Sequence, residues 1–400
     1  MSIPILLLSD SPDSHSGLGR ITRDIAIHIS QMPEFRVGVM GRGGRGSSRL
    51  PFPQYVLNGE DNWGELRFEE CWRDFARNEK GVVLSVWDAS RVRWLVAPSQ
   101  LPPALVTLLK SGQFQRWGYF PLDATGPNNR LTQINADTIK RFDRVLAYGM
   151  WGQDVIRKST GRAEVDWLPH GVNFNAFQPR SPNEGKEFQE SLEKWSDNEL
   201  VGMVATNQTR KDWGLAFCVF DQLRRQRPGI QFWVHIDSML RHWNIHSLIR
   251  DYGLTDCVQV TQEGLFSDTG LSHFYSACNL TILPSSEGFG YPIVESLACG
   301  TPVIHSNYAG GAELVPNKDW LVEPVTYRLE GIYNNLRPVW APEDWVEAIT
   351  RCLENPWDAQ ECRRSVSHLD WMNLKGPWEK WLLKGVGLGP RLETPKEKVG

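Results

Sequence analysis

The chain has 400 residues, 41% hydrophobic and 22% charged, with a formal net charge of −4. That length suits two domains better than one core, and the acidic balance gives no global pull toward nucleic acid. No run approaches the roughly 20 consecutive apolar residues of a membrane span, and seven scattered cysteines without a CxxC pair suggest neither a disulfide framework nor a zinc site.

Met1-Ser2-Ile3-Pro4 lacks a basic flank, so the apolar run Ile5 to Leu8 reads as a buried strand rather than a signal peptide. We therefore expect a cytoplasmic protein. Further short apolar runs at 35–40, 82–87, 117–120, 144–148 and 165–168 predict strands, with segments of helical period between them. Ile21, Ile25 and Ile29 form one such stripe, with Thr22, Arg23 and Asp24 turned away. Residues 178–198 are polar and Pro/Gly-bearing, a linker with a short surface helix. The pattern then restarts, with strands at 200–205, 230–236, 258–261, 280–283 and 302–305 and helices near 214–226, 269–277, 291–299 and 342–354. Strand alternating with helix predicts parallel sheets covered on both faces. The expected architecture is α/β, two doubly wound Rossmann-like domains (1–177 and 199–365) facing across a cleft. The tail 366–400, with Trp371, Trp378 and Trp381, is amphipathic and should pack back on the body, its last ten residues frayed. The eighteen tryptophans are expected mostly in the core or between domains.

Ser16-Gly17-Leu18-Gly19-Arg20 follows the first strand and opens a helix, where glycines admit a ligand close to the backbone and the helix N-terminus favours an anion. A dinucleotide fingerprint wants a third glycine where Thr22 stands, which argues against an NAD-dependent dehydrogenase. Arg36, Arg42, Arg45 and Arg49 lie in or beside the glycine-rich stretch Gly41 to Ser48, either a solvated surface loop or a cationic loop for an anion. Asp123, after a first-domain strand, should face the cleft, where it binds a hydroxyl or orients a nucleophile, or else forms the turn before Gly126-Pro127.

The most informative stretch runs from Pro284 to Ile304: a buried strand, the loop Glu287-Gly288-Phe289-Gly290, then a helix from Tyr291 that carries Glu295. Loop amides and a helix N-terminus suit a diphosphate, and flanking carboxylates suit paired hydroxyls. Glu287 and Glu295, with seven residues between them, resemble the E-x7-E motif of family 4 retaining glycosyltransferases of the GT-B fold. Pro169-His170-Gly171-Val172-Asn173 with Phe177 and Pro179, Phe266-Ser267-Asp268, and Gly310-Gly311-Ala312-Glu313 resemble other segments of that family in order and spacing. The likeness covers about 1–355 and is strongest in the C-terminal half.

The resemblance implies that 199–365 binds a nucleoside-diphosphate sugar (UDP-, GDP- or ADP-linked) and that 1–177 reads the acceptor. It gives the donor ribose to Glu295, the transferred sugar to Glu287, and the diphosphate to Gly288, Phe289 and Gly290. Gly17, Gly19, Asn207 and Tyr291 are added as substrate-binding. The family's lysine falls on Lys211, but its arginine position holds Thr206, so Arg210 is expected to supply that charge. Many members place a His near Asp123; here we expect Asp123 itself to serve, with His170 structural. No Asp-x-Asp triplet is present, so no obligatory metal or cofactor is expected. The implied reaction transfers a sugar to an acceptor hydroxyl with retention of configuration. The expected acceptor is a saccharide or lipid-linked saccharide, and the alternative is a hydroxymethylated base in DNA, motivated by the Arg42/Arg45/Arg49 loop. A sugar-nucleotide epimerase of the same fold and a catalytically inactive nucleotide-sugar-binding relative are the readings of other classes.

Overall fold

The computed structural model describes residues 2–389 except 15, 58, 60–62, 100, 182–197, 263 and 265, so most of the linker expected at 178–198 and the end of the tail lie outside the described residues. The first half runs β1 (Ile3–Asp10), α1 (Gly17–Ser30), β2 (Phe35–Arg42), β3 (Gln54–Leu57), α2 (Phe68–Ala76), β4 (Gly81–Ser85), α3 (Pro103–Lys110), β5 (Phe114–Phe120), α4 (Gln133–Ile139), β6 (Arg144–Ala147), α5 (Met150–Thr160) and β7 (Asp166–Trp167). Its strands form one parallel sheet in the order β3-β2-β1-β4-β5-β6-β7.

The second half runs β8 (Leu200–Val204), α6 (Trp213–Gln226), β9 (Gln231–Ile236), α7 (Ile245–Asp251), β10 (Val258–Gln262), α8 (Asp268–Ala277), β11 (Leu280–Leu283), α9 (Tyr291–Ala298), β12 (Val303–Ser306) and β13 (Leu321–Val322). These strands make a second parallel sheet, β10-β9-β8-β11-β12-β13. An antiparallel hairpin, β14 (Thr326–Glu330) with β15 (Asn335–Val339), follows. The chain closes with α10 (Pro342–Glu354), α11 (Ala359–Ser365) and α12 (Trp371–Gly385). Two doubly wound Rossmann-like domains, the GT-B arrangement, are thus present.

Burial explains why the apolar runs became strands. Ile5 through Leu8 are fully buried, and Ile21, Ile25 and Ile29 line the inner side of α1. Seven tryptophans are among the largest fully buried side chains, including Trp87, Trp117 and Trp378. The tail helix α12 crosses back onto the first domain. Trp378 Nε1 donates to Pro169 O at 3.0 Å, Arg144 Nη1 donates to Trp381 O at 2.9 Å, and the Trp381 ring meets Trp117 edge-on at 5.1 Å. Each fully buried aromatic contributes about 2–3 kcal/mol of apolar burial, so this return strap is a substantial tie. Arg363 adds a polar one: its guanidinium donates to Phe174 O, Phe177 O and Ala298 O.

Three elements have no strand signal in the sequence: β3, the two-residue β13 and the hairpin. β3 has four residues at a sheet edge and is mostly half-buried. In the hairpin, Thr326–Glu330 is nearly all exposed, and its turn rests on Gly331 and Asn334 at φ of 72° and 52°. Among the described residues no helix is long and apolar enough to cross a membrane.

Candidate functional site

In both sheets the strand order reverses beside the first strand, between β1 and β4 and between β8 and β11. In open parallel sheets, ligands sit at the carboxyl ends of strands flanking that reversal. The loops leaving β8 and β11 carry Arg210, Lys211 and Glu287, and there the structure brings them together.

Glu287 is buried, 6% exposed, and its Oε1 gathers the donors. Lys211 Nζ pairs with it, Arg210 Nη1 lies at 3.0 Å, and Ser285 Oγ donates at 2.6 Å. Burial alone would raise this carboxyl, but the Arg210 and Lys211 charges outweigh it and hold Glu287 well below the usual carboxylate range. Burial and the adjacent Arg210 push Lys211 down to about 8, against the pull of Glu287. Arg210 also spans the cleft: Nη1 donates to Ser286 O at 2.9 Å, while Nε meets Asp123 Oδ2 at 3.1 Å. Asp123 Oδ1 is in turn 3.3 Å from Arg337 Nη2. Asp123 thus faces the cleft inside a chain of alternating charges rather than forming a turn.

The loop between the two glutamates needs its glycines for stated reasons. A Cβ on Gly288 would come within 2.8 Å of Leu122 O in the opposite domain. Gly290 sits at φ 87° as the N-cap of α9, a left-handed position that strains other residues. No side chain caps that helix, so its first turn presents an anion-binding end. Opposite it, the start of α1 approaches, with the Cβ position of Gly17 at 3.9 Å from the Tyr291 ring.

Glu295 lies one helical turn into α9 and is 2% exposed. Tyr275 OH donates to its Oε2 at 2.8 Å, and Arg20 from the first domain pairs with its Oε1. Arg20 also holds Asp268 at 2.7 Å and lies over the Tyr291 ring at 5.1 Å. Burial raises the Glu295 carboxyl, opposed by Arg20. Arg20 was not among the expected site residues. Its signal was present nonetheless: a cation in a first helical turn opposes the helix dipole and so points to a partner outside its own helix. Arg337, exposed only 11% along its side chain, had no signal because its hairpin had none.

Two of the expected substrate-binding residues are engaged within the protein. Asn207 is fully buried and its amide is already engaged: Nδ2 donates to Ser238 O and Trp243 O, and Oδ1 accepts from Trp243 N. It pins the 238–243 loop. Gly19 faces its own turn, where a Cβ would meet Ser14 Oγ at 2.1 Å and Ser11 O at 2.6 Å, while its amide donates to the Ser16 cap. The Phe289 ring packs on His170, centroids 3.8 Å apart, which leaves its backbone as the part facing a ligand. His170 is buried, bonds Tyr119 OH at 3.1 Å and is pushed by burial to about 3, so it stays neutral at the junction. Of the arginine stretch, Arg42, Arg45 and Arg49 keep exposed side chains. Arg36 pairs with Glu79, Arg42 stacks over Trp63 at 4.7 Å, and the Arg45 amide donates to Asp13 at 2.9 Å.

The two facing Rossmann-like domains define the GT-B fold. Residues 185–366 match the family model of glycosyl transferases group 1. Across 147 residues the chain is 30% identical to an uncharacterised glycosyltransferase of Sulfolobus islandicus rod-shaped virus 1, covering 34% of this chain and 40% of that protein. It is 28% identical over 241 residues to a D-inositol 3-phosphate glycosyltransferase of Paenarthrobacter aurescens, 59% and 52% of the two chains. The chain thus spans about half or less of the length of these curated relatives. Among solved structures, sucrose-phosphate synthase from Thermosynechococcus elongatus superposes with a TM-score of 0.74 at 18% identity, covering 96% of this chain and 99% of that one. Anabaena HepE in complex with UDP-glucose does so with 0.70 at 16%, covering 96% and 100%. At such identities the likeness establishes the fold.

Proposed function

We propose that the protein transfers a sugar from a nucleoside diphosphate to an acceptor hydroxyl with retention of anomeric configuration, the acceptor being a saccharide or lipid-linked saccharide. The observation that carries it is the convergence of Lys211, Arg210, Glu287 and the uncapped N-terminus of α9 on one spot at the strand ends. The two cations and the loop amides of 288–290 offset the charge that builds on the departing diphosphate. Glu287, kept ionised, accepts from hydroxyls of the transferred sugar, and Glu295 accepts from the ribose, with Arg20 moving aside or sharing the carboxylate. Asp123, held between Arg210 and Arg337, borders the acceptor's path. In keeping with the resemblance to family 4 retaining glycosyltransferases, attack comes from the leaving-group face, with a diphosphate oxygen taking the acceptor proton as the new glycosidic bond forms and the old one breaks. Closure of the domains removes competing water.

A uridine donor is the first to try, because HepE was solved with UDP-glucose. The test is a thermal-shift panel of UDP-, GDP- and ADP-sugars, followed by proton NMR of the product formed with the donor that stabilises the protein. Stabilisation by one nucleotide family and an α-product from an α-linked donor are expected. An inverted product would overturn the retaining reading, and stabilisation without turnover on any acceptor would favour an inactive binding relative.

A further inference from the structure

The hairpin β14–β15 lies beside the acceptor edge of the cleft, and the donor chemistry does not use it. Leu336 N donates to Thr125 O at 2.7 Å, bridging the hairpin to the first-domain segment that carries Asp123. Tyr308 ties the same spot, its hydroxyl donating to Leu336 O at 2.8 Å and accepting from Thr125 N at 3.2 Å. Arg337 reaches Asp123 twice, at its carboxylate and its backbone carbonyl.

The register pairs Tyr327 with Pro338 and Leu329 with Leu336, so these side chains share one face. That face is left open, with Tyr327 46% and Leu329 53% exposed. The Tyr308 ring lies 5.8 Å from Tyr327, and the Trp151 ring 6.0 Å from Tyr308. Three aromatic rings thus form a row from the hairpin across to the first domain. The row borders a shallow cavity of about 310 Å3 lined by Trp151, Asn307, Tyr308, Ala309, Ala312 and Glu313. The Asn307 amide already donates to Glu323, and Glu313 accepts from Trp151 N. The exposed Glu313 carboxylate keeps acceptor capacity, so rings beside it suit a pyranose whose C–H faces pack on aromatic surface while a hydroxyl donates to the carboxylate. The nearby acidic side chains Glu313, Glu323 and Glu330 count against an anionic lipid surface.

We propose that the β14–β15 hairpin is the wall of a saccharide-acceptor subsite, with Trp151 and Tyr327 as its stacking surface, the buried Tyr308 holding them in line, and Arg337 positioning Asp123 beside it. The acceptor role rests on the transfer reading above, but saccharide binding is measurable alone. The full chain is applied to an immobilised array of mono- and oligosaccharides of glucose, galactose, mannose and N-acetylglucosamine, as wild type, Tyr327→Phe and Tyr327→Ala. Thermal shift with UDP-glucose is run in parallel, and the oligomeric state of each is measured by light scattering. The expected result is saccharide binding by wild type and Tyr327→Phe, weakened at least tenfold in Tyr327→Ala, with the UDP-glucose shift equal in all three. No saccharide retained by wild type, or equal binding by Tyr327→Ala, overturns the subsite. So does a wild-type dimer that Tyr327→Ala converts to monomer, which assigns the face to a second copy of the chain. Saccharide binding that depends on Tyr327, with no nucleotide-sugar shift in any variant, keeps the subsite and removes the transfer reading.

Discussion

Glu287 and Glu295 sit on one loop-and-helix segment, are both nearly buried, and have opposite electrostatic fates. Glu287 finds its two cations at Arg210 and Lys211, within its own domain, and is held firmly ionised. Glu295 has only Tyr275 within its domain and takes its cation, Arg20, from the other one. The first carboxylate is therefore prepared before the domains meet, while the second is completed by their contact. A cleft built this way separates a charge cluster held within one domain from an ion pair made across the two, and each can be broken without the other.

The largest effect is expected at the charge cluster. Lys211→Ala removes the buried cation that the transfer proposal sets against the leaving group and should cost about 10²–10³-fold in turnover, read as product formed per unit time at saturating donor. On the closure side, Arg20→Ala should leave that cluster intact and separate the domains. Small-angle scattering of the unliganded protein should give a larger radius of gyration for Arg20→Ala and an unchanged one for Lys211→Ala. An unchanged radius in both would mean that α12, Arg363 and the Glu313 cap on the Trp151 amide set closure by themselves.

Acidity sharpens the comparison further. Lys211 is a cation only below about 8, so donor affinity should fall by up to about tenfold per pH unit above that value. In Lys211→Arg the limb should vanish, because a guanidinium stays charged. A separate effect is global. Burial lowers His170 to about 3 and His235 and His305 to about 4, from 6.5. All three are neutral when folded, and the unfolded chain binds more protons below pH 6.5. Stability should therefore be lost as pH falls from about 6.5 toward 4, by a few kcal/mol, seen as a drop in melting temperature.

The C-terminal half was legible because its signals are local. Apolar runs, a helix start and two glutamates on one short segment need no knowledge of the rest of the chain, and Ser285 to Glu295 contains its own geometry. Arg20 and Arg337 act across the cleft, so nothing within their own segments says which residue they meet. The hairpin was missed because exposed strands lack a buried alternating face. Asn207 shows the converse: an amide four residues before Lys211 reads as a ligand contact, and only the fold reveals the 238–243 loop that its side chain bonds.

The central claim is that the loops after β8 and β11 hold the donor. Calorimetric titration of UDP-glucose into wild type, Glu295→Ala and Lys211→Ala tests it most directly. The account predicts saturable binding to wild type, weakened about 10- to 100-fold in each variant, as expected for the loss of a charged hydrogen bond. Binding of equal strength in all three would contradict it and place the nucleotide elsewhere.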